Sequence, residues 1–289
     1  MREIKIDQAA LEGARKQFCL DTCLSWQQYK EHPGKKCYIQ KTIYEESFSG
    51  FPGARKYAGT DSFFKAIVCM GQLFLAVDEK IYDWAAEKFL NCEPEWFCEF
   101  ENLRMIDEKL REYGRKLGDT HVYFLPGQEG AGDAPADSEH FWKQGFPKLC
   151  TSWYDDQELL LFKEKNRFRR AICFSPTQPD MLAVAAMKEG TPEKSFDQGQ
   201  MAGMAGVSRD GEYLWQVGID VIPEYAGRGL ASDLVRSLKD EVLKRGKIPF
   251  YGTSESHIIS QTVALKSGFV PAWTELYVKP VQGTSVTEE

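Results

Sequence analysis

The clearest chemical signal in the sequence is a glycine-rich turn, Gly227–Gly229, between a predicted strand and a predicted helix. Alternating apolar residues in Val217–Val221 predict the strand, and Pro223 ends it because proline has no backbone donor to continue a ladder. Leu230 begins an amphipathic helix. Such a turn leaves backbone N–H groups pointing the same way at the positive end of the helix dipole. This arrangement predicts an anion site, most often for phosphate.

The turn has three alternative interpretations, of which the first stays open on the turn alone. The glycines could simply make a tight strand-to-helix connection. The Rossmann pattern G-x-G-x-x-G fails because Ser232 occupies the position of its third small residue. A P-loop would require Gly-Lys-Ser/Thr after the turn, and none follows.

Asp220 is a titratable residue in the same strand, on the face opposite to Val221. A carboxylate on a central strand is unusual, which makes Asp220 a candidate general base. It could equally be a hydrogen-bond acceptor at the end of the strand. Both interpretations stay open on the sequence alone.

Composition narrows the class of partner. The 289 residues carry a formal net charge of −7, which argues against nucleic acid or an anionic membrane as the main partner. No apolar run approaches the length of a membrane span, and the N-terminus has no apolar signal-peptide core, so we expect a cytoplasmic protein.

Eight cysteines are scattered along the chain without a C-x-x-C pair. Cys19, Cys23, His32 and Cys37 are close enough in sequence to suggest zinc, but their spacing matches no common zinc module. Core packing explains these cysteines better, and we expect no metal site.

Hydrophobic periodicity predicts α/β structure in both halves of the chain. In the first half the predicted elements are a helix over 8–29, an irregular stretch over 32–61, a hairpin over 66–77 turning at Gly71-Gln72, helices over 79–89 and 103–117, and a strand over 121–125. In the second half they are one or two helices over 153–170, strands over 181–187, 200–207 and 213–221, a helix over 230–245, a strand over 250–253, a helix over 260–267 and a strand over 269–278. The second half from residue 181 thus reads β-β-β-α-β-α-β.

A segment of small and polar residues, Gly127–Ser138, is the best candidate for a domain boundary. It predicts an N-terminal α/β subdomain over residues 1–126 and a second domain over residues 140–289.

Two motifs in this second domain resemble those of the GNAT N-acetyltransferase superfamily. The first is the strand, V-I-P, aromatic residue and G-R-G-L-A of residues 221–231, which resembles its coenzyme A motif [R/Q]-x-x-G-x-[G/A]. The second is Ser260–Phe269, which resembles S-x-x-V-A-x-K-x-G-F. The resemblance covers about residues 140–280. It implies a mixed, mostly antiparallel central sheet flanked by helices, with the N-terminal α/β subdomain added.

The resemblance also implies a function: direct transfer of an acetyl group from acetyl-CoA to a primary amine in a ternary complex. The acceptor would be a small amine or a peptide, and the oligomeric state is not predicted. The strand that ends at Val221 would separate from the strand over 250–253, and a backbone N–H near Val221 would polarise the thioester carbonyl. The implied coenzyme-binding residues are Ile219, Val221, Ala226, Gly227, Arg228, Gly229, Leu230, Ala231 and Ser260.

The sequence departs from the family pattern at two positions. Ala226 replaces the leading Arg or Gln of the first motif, and Ala264 stands where many members carry a tyrosine as general acid. The candidate catalytic residues are therefore Asp220, Tyr251, His257 and Ser260, with water as a further possible acid. The two alanines also motivate an alternative, a non-catalytic acyl-CoA-binding sensor or interaction module.

Overall fold

The computed structural model describes residues 5–45, 48–49, 51–55, 62–128, 149–162, 167–173, 178–192 and 194–281. Most of the predicted boundary segment Gly127–Ser138, and residue 140, lie outside these ranges. The chain forms two compact units. The N-terminal unit comprises Ala14–Tyr123 and Ala272–Glu289, and the C-terminal unit comprises Met1–Gly13 and Phe124–Pro271.

The helices and strands are numbered here in chain order. The α-helices are α1 (Gln8–Asp21), α2 (Trp26–Glu31), α3 (Tyr82–Phe89), α4 (Phe100–Arg111), α5 (Asp156–Leu159), α6 (Leu230–Lys244) and α7 (Ile258–Lys266). The strands are β1 (Cys37–Lys41), β2 (Tyr44–Glu45), β3 (Phe48–Ser49), β4 (Phe64–Cys69), β5 (Gln72–Val77), β6 (Arg115–Pro126), β7 (Leu149–Asp155), β8 (Asp180–Lys188), β9 (Met201–Arg209), β10 (Leu214–Val221), β11 (Ile248–Ser254) and β12 (Phe269–Pro280).

In the N-terminal unit the strands follow the order β1-β5-β4-β12-β6. The predicted hairpin is confirmed as β4–β5, but its turn lies one residue earlier, where Met70 and Gly71 both have positive φ. A buried apolar cluster from β1, β4, β5, α3 and α4 forms the core of this unit.

Two predicted helices of the N-terminal unit are wrong in extent. The single helix over 8–29 is interrupted after Asp21, because Cys23 adopts a left-handed φ of 57° and Ser25 caps a new helix. The helix over 103–117 ends at Arg111. Gly114, with φ of 68°, reverses the chain, and β6 begins directly after it.

In the C-terminal unit the strands follow the order β11-β10-β9-β8-β7. The neighbouring pairs β7–β8, β8–β9 and β9–β10 are antiparallel, and β10–β11 is parallel. The predicted order of strands and helices from residue 181 onward is confirmed. The apolar stripe predicted for α6 is buried along its whole length, from Leu230 to Val242.

The prediction of one or two helices over 153–170 is confirmed only for Asp156–Leu159, which a 3-10 turn over Leu160–Phe162 follows, and it is wrong for residues 153–155 and 167–170. Trp153 and Tyr154 lie in β7, which pairs with β8, and a helix begins only after Asp155. The Asp155 carboxylate accepts a hydrogen bond from the Glu158 N–H and caps this one short turn. Among the helices that the structure describes, none is long and apolar enough to cross a bilayer.

Candidate active site

The strands β10 and β11 separate at one end. Their parallel register runs from Leu214↔Ile248 to Val217↔Tyr251, whereas β10 continues to Val221 and β11 to Ser254. On its other edge β10 stays paired with β9 as far as Val221↔Gly203. A gap therefore opens beside Gly218–Val221 on the β11 side, as the family resemblance implied.

The backbone of β10 presents polar groups to this gap. The Ile222 N–H donates to the Ala202 carbonyl of β9, on the edge of β10 away from β11. In an antiparallel ladder, successive residues direct their N–H and C=O groups to opposite edges. Ile219 and Val221 therefore direct theirs towards β11, at the level where β11 no longer pairs. A carbonyl oxygen placed in the gap would meet these N–H groups.

The glycine-rich turn follows directly. Pro223–Tyr225 form one 3-10 turn, and Gly227 and Gly229 then adopt φ of 75° and 94°. A Cβ built on either glycine would meet no atom within 4 Å, so the backbone conformation, and not crowding, requires glycine here.

Gly229 caps α6 without any side-chain hydrogen bond. The first hydrogen bond of the helix runs from the Asp233 N–H to the Gly229 carbonyl, at 3.1 Å. The N–H groups of the helix's first turn, from Leu230 to Ser232, precede this bond and lack intrahelical acceptors. The turn therefore has the form of an anion site at the positive end of a 15-residue helix.

The two unusual residues of the turn are accounted for as follows. The Ala226 N–H donates to the Pro223 carbonyl, so that donor is already used within the turn. The Arg228 guanidinium donates to the Glu224 carbonyl at 3.0 Å and lies 5.2 Å from the centre of the Tyr225 ring. Arg228 thus folds back over its own turn, while its charge stays beside the helix N-terminus.

Tyr251 and Ser260, both predicted from the sequence, contact each other. The Tyr251 hydroxyl lies 2.9 Å from the Ser260 Oγ at the start of α7. Tyr251 is 3% exposed and is the last residue of β11 paired with β10. His257 is exposed, immediately before α7, and makes no side-chain capping bond.

Asp220 lies on the other face of the sheet. Tyr251 shares a face with its register partner Val217, and Asp220, three residues further along β10, points to the opposite side. There its Oδ2 accepts hydrogen bonds from the backbone N–H of Arg170 at 2.7 Å and of Ala171 at 3.1 Å. The gap thus has the tyrosine on one face and the aspartate, with the segment bound to it, on the other.

Burial sets the electrostatics of these groups. Desolvation raises the pKa of the Tyr251 hydroxyl above its usual 10.0, although the Ser260 hydrogen bond and the Arg170 charge oppose the rise. Desolvation also raises the pKa of Asp220 above its usual 3.8, against the two backbone N–H donors and Arg170. Tyr251 therefore keeps its proton at neutral pH, which is the form that a proton donor needs.

One further carboxylate lies close to the turn. Asp233 is buried in the first turn of α6, and burial raises its pKa while Arg236, 3.8 Å away, lowers it. A carboxylate here is favourable for the helix dipole but repels a bound phosphate, and the Arg236 guanidinium offsets part of that repulsion.

Comparison with protein families decides the assignment. Residues 153–269 match the family described as Acetyltransferase (GNAT) family. These residues form a GNAT acetyltransferase domain. The match spans less than half of the chain and includes β10, the glycine turn, α6 and the Tyr251–Ser260 pair.

Distant structural matches accompany this assignment. A GCN5-related N-acetyltransferase-like protein from Streptococcus suis is 16% identical, with 64% of this chain and 74% of that chain covered and a TM-score of 0.39. A GNAT-family acetyltransferase from Colwellia psychrerythraea is 10% identical over 96% and 100% of the two chains, with a TM-score of 0.38. An acetyltransferase structure from Salmonella typhimurium with its cofactor acetyl-CoA is 12% identical, with 49% of this chain and 98% of that chain covered and a TM-score of 0.31. No curated protein sequence matches the chain. Matches this distant indicate no acceptor.

The spacing of Cys19, Cys23, His32 and Cys37 suggests zinc ligands, although no metal site is expected there. In the part of the chain that the structure describes, no three His, Cys, Asp or Glu side chains form a group that could hold a metal ion. Cys19 and Cys23 are buried, and the Cys37 Sγ lies 3.7 Å from that of Cys92.

Sequence reasoning missed the segment that Asp220 binds. Arg167–Cys173 was predicted to be partly helical and given no role. Its Arg170 and Ala171 lie directly against the sheet. The signal was present in the strands: Gly206 and Gly218 interrupt otherwise apolar runs, and glycine inside a strand often marks the close approach of another backbone.

Proposed function

We propose that the GNAT domain transfers the acetyl group of acetyl-CoA directly to a primary amine in a ternary complex. The observation that carries this proposal is the end of the β10–β11 pairing at Val217↔Tyr251, immediately before a glycine turn that caps a long helix. The family match over residues 153–269 supports acetyl transfer in general. The direct mechanism and the amine acceptor are the proposal.

The turn would hold the pyrophosphate of the substrate. The backbone N–H groups of Gly227–Ala231 and the positive end of α6 supply donors and partial positive charge. Leu230 would contribute its N–H alone, because its side chain is buried in the core. Arg228 lies beside this site and adds a formal charge.

The gap would hold the pantetheine arm and the thioester. The N–H groups of Ile219 and Val221 face the gap, and a hydrogen bond to the thioester oxygen would stabilise the negative charge that develops there during attack. The amine nitrogen forms the new C–N bond as the C–S bond breaks. The proton of the ammonium group goes to water or to a base, and the thiolate takes a proton from an acid.

Tyr251 is the residue we assign as that acid. Its hydroxyl stays protonated at neutral pH and lies 2.9 Å from the Ser260 Oγ of α7, and its backbone pairs with β10 at the last position before the gap. It would replace the tyrosine that many GNAT members carry where this chain has Ala264. Ala264 is fully buried in α7 and offers no proton. His257 is exposed at the start of α7 and has no part in this assignment.

The test is a panel of primary amines with acetyl-CoA, followed by thiol release and by mass spectrometry of the amine. A gain of one acetyl group on at least one amine, with stoichiometric thiol release, is expected. The second candidate function, a non-catalytic acyl-CoA sensor, is motivated by Ala226 and Ala264. It predicts acetyl-CoA binding with no thiol release on any amine, and that outcome would replace the proposal.

A further inference from the structure

We infer that Asp220 is a positioning residue, which fixes the Arg170–Ala171 backbone beside the β10–β11 gap as one wall of the acceptor-amine site. The inference rests on the proposed function for the identity of that site. It resolves the two roles that the sequence left open for Asp220 in favour of a hydrogen-bond acceptor.

The first observation is how the carboxylate is used. Asp220 Oδ2 accepts from two consecutive backbone N–H groups, Arg170 at 2.7 Å and Ala171 at 3.1 Å. Both hydrogen bonds use the same oxygen, so they tie the carboxylate to the segment, and the comparison with Asp220→Asn below separates this role from that of a base. An amide oxygen could accept the same two hydrogen bonds, whereas only a carboxylate could act as a base.

The second observation is a notch in the sheet that fits this backbone. Gly206 and Gly218 are register partners on β9 and β10. A Cβ on Gly218 would lie 1.7 Å from the Arg170 carbonyl oxygen, and one on Gly206 would lie 1.9 Å from that of Ala171. Both distances are impossible for real atoms. Only two glycines allow the segment to lie this close to the sheet.

The segment is also fixed on its far side. Phe168 is buried at 1% exposure, and the Arg167 guanidinium donates to the Met201 carbonyl of β9 at 2.9 Å. The Cys173 N–H donates to the Asp180 carboxylate at 2.6 Å. Removal of the Asp220 carboxylate would therefore release the backbone of Arg170 and Ala171 from the notch. The other contacts would keep the segment attached to the domain.

The place of the notch gives the segment its function. Gly218 directly follows Val217, the last residue of β10 that pairs with β11, so the notch lies where the gap opens. Asp220 and the segment lie on the face opposite to Tyr251. Tyr251, the assigned acid, lies on one face of the sheet. An amine that reaches the thioester from the opposite face would therefore pass the Arg170–Ala171 backbone. This wall would therefore govern the affinity for the amine and leave the affinity for acetyl-CoA unchanged.

The test compares Asp220→Asn, Asp220→Ala and Gly218→Ala in the full-length chain. We expect Asp220→Asn to keep kcat close to that of the wild type, because the amide oxygen retains both hydrogen bonds. We expect Asp220→Ala to raise the KM for the amine by roughly 10-fold, the effect of losing a hydrogen bond to a charged group, with the Kd for acetyl-CoA unchanged. Gly218→Ala should raise the same KM and leave the Kd for acetyl-CoA unchanged, because its Cβ would displace the Arg170 carbonyl from the notch. A loss of kcat of about 100-fold or more in Asp220→Asn would identify a base and overturn the inference.

Hydrogen–deuterium exchange gives a second readout that does not depend on turnover. The amides of Arg170 and Ala171 should exchange faster in Asp220→Ala than in the wild type, and Asp220→Asn should restore their protection. Equal protection in all three proteins would overturn the inference. If no amine is acetylated by the wild type, the proposed function fails, and the exchange data still decide whether Asp220 holds the segment.

Discussion

The substitution Gly229→Ala tests whether the turn conformation itself binds acetyl-CoA. Gly229 has φ of 94° and ψ of −11°, and a Cβ there would meet no atom within 4 Å. The new methyl group therefore costs nothing in packing. Its whole effect comes from forcing an L-residue into a left-handed conformation.

The structure offers a matched control at the other end of the same helix. Gly246 follows the C-terminus of α6, has φ of 71° and likewise has open space around its Cβ position. Left-handed backbone costs an L-residue about 1–2 kcal/mol. Both alanine variants should therefore lose a similar free energy of unfolding. The strain at residue 229 should be the larger of the two, because 94° lies further from the left-handed minimum near 57°.

Only Gly229→Ala should lose affinity for acetyl-CoA. Relaxation of the strain turns the N–H groups of the helix N-terminus away from the bound pyrophosphate, and about 1–2 kcal/mol corresponds to a Kd that is roughly 5–30-fold higher. Isothermal titration with acetyl-CoA measures both variants. Equal losses of affinity in the two variants, or none in Gly229→Ala, would refute the assignment of the phosphate site to this turn.

Three further predictions concern single residues. Tyr251→Phe should lower kcat by about 100-fold with the Kd for acetyl-CoA unchanged. A variant whose kcat in a steady-state assay stays within a few-fold of the wild-type value would exclude Tyr251 as the acid. Asp220→Asn should be at least as stable as the wild type at pH 7. Burial raises the pKa of Asp220 in the folded protein, so folding favours its protonated form. The stability that this protonation contributes is present below pH 3.8 and is lost as the pH rises through the higher pKa of the folded protein. Urea unfolding should therefore show that the stability advantage of Asp220→Asn disappears below pH 3.8. Arg55→Met should destabilise the N-terminal unit by about 3–5 kcal/mol in urea unfolding, because it leaves the buried carboxylates of Asp21 and Glu275 without their cation; a loss below about 1 kcal/mol would contradict this.

The sequence predicted the strand–turn–helix and its partner motif well because local rules determine both. Alternating apolar residues give β10, proline ends it, and glycine permits the positive φ of the turn. The separation of β10 from β11 was expected only through the family resemblance. Local rules do not give it, because it depends on where two strands distant in sequence cease to pair.

The errors have a common physical origin. Residues 153–170 contain aromatic and charged residues that are compatible with a helix, and only pairing with β8 places Trp153 in a strand. The contact between Asp220 and the Arg170–Ala171 backbone joins positions 49 and 50 residues apart. Such a contact depends on tertiary packing, and the only local trace of it was a pair of glycines in adjacent strands.

The most direct test of the central claim is an isothermal titration of acetyl-CoA into the wild-type chain. The gap beside β10 and the open N-terminus of α6 predict saturable binding of one molecule per chain with a sub-millimolar Kd. The absence of binding throughout the millimolar range would contradict the account.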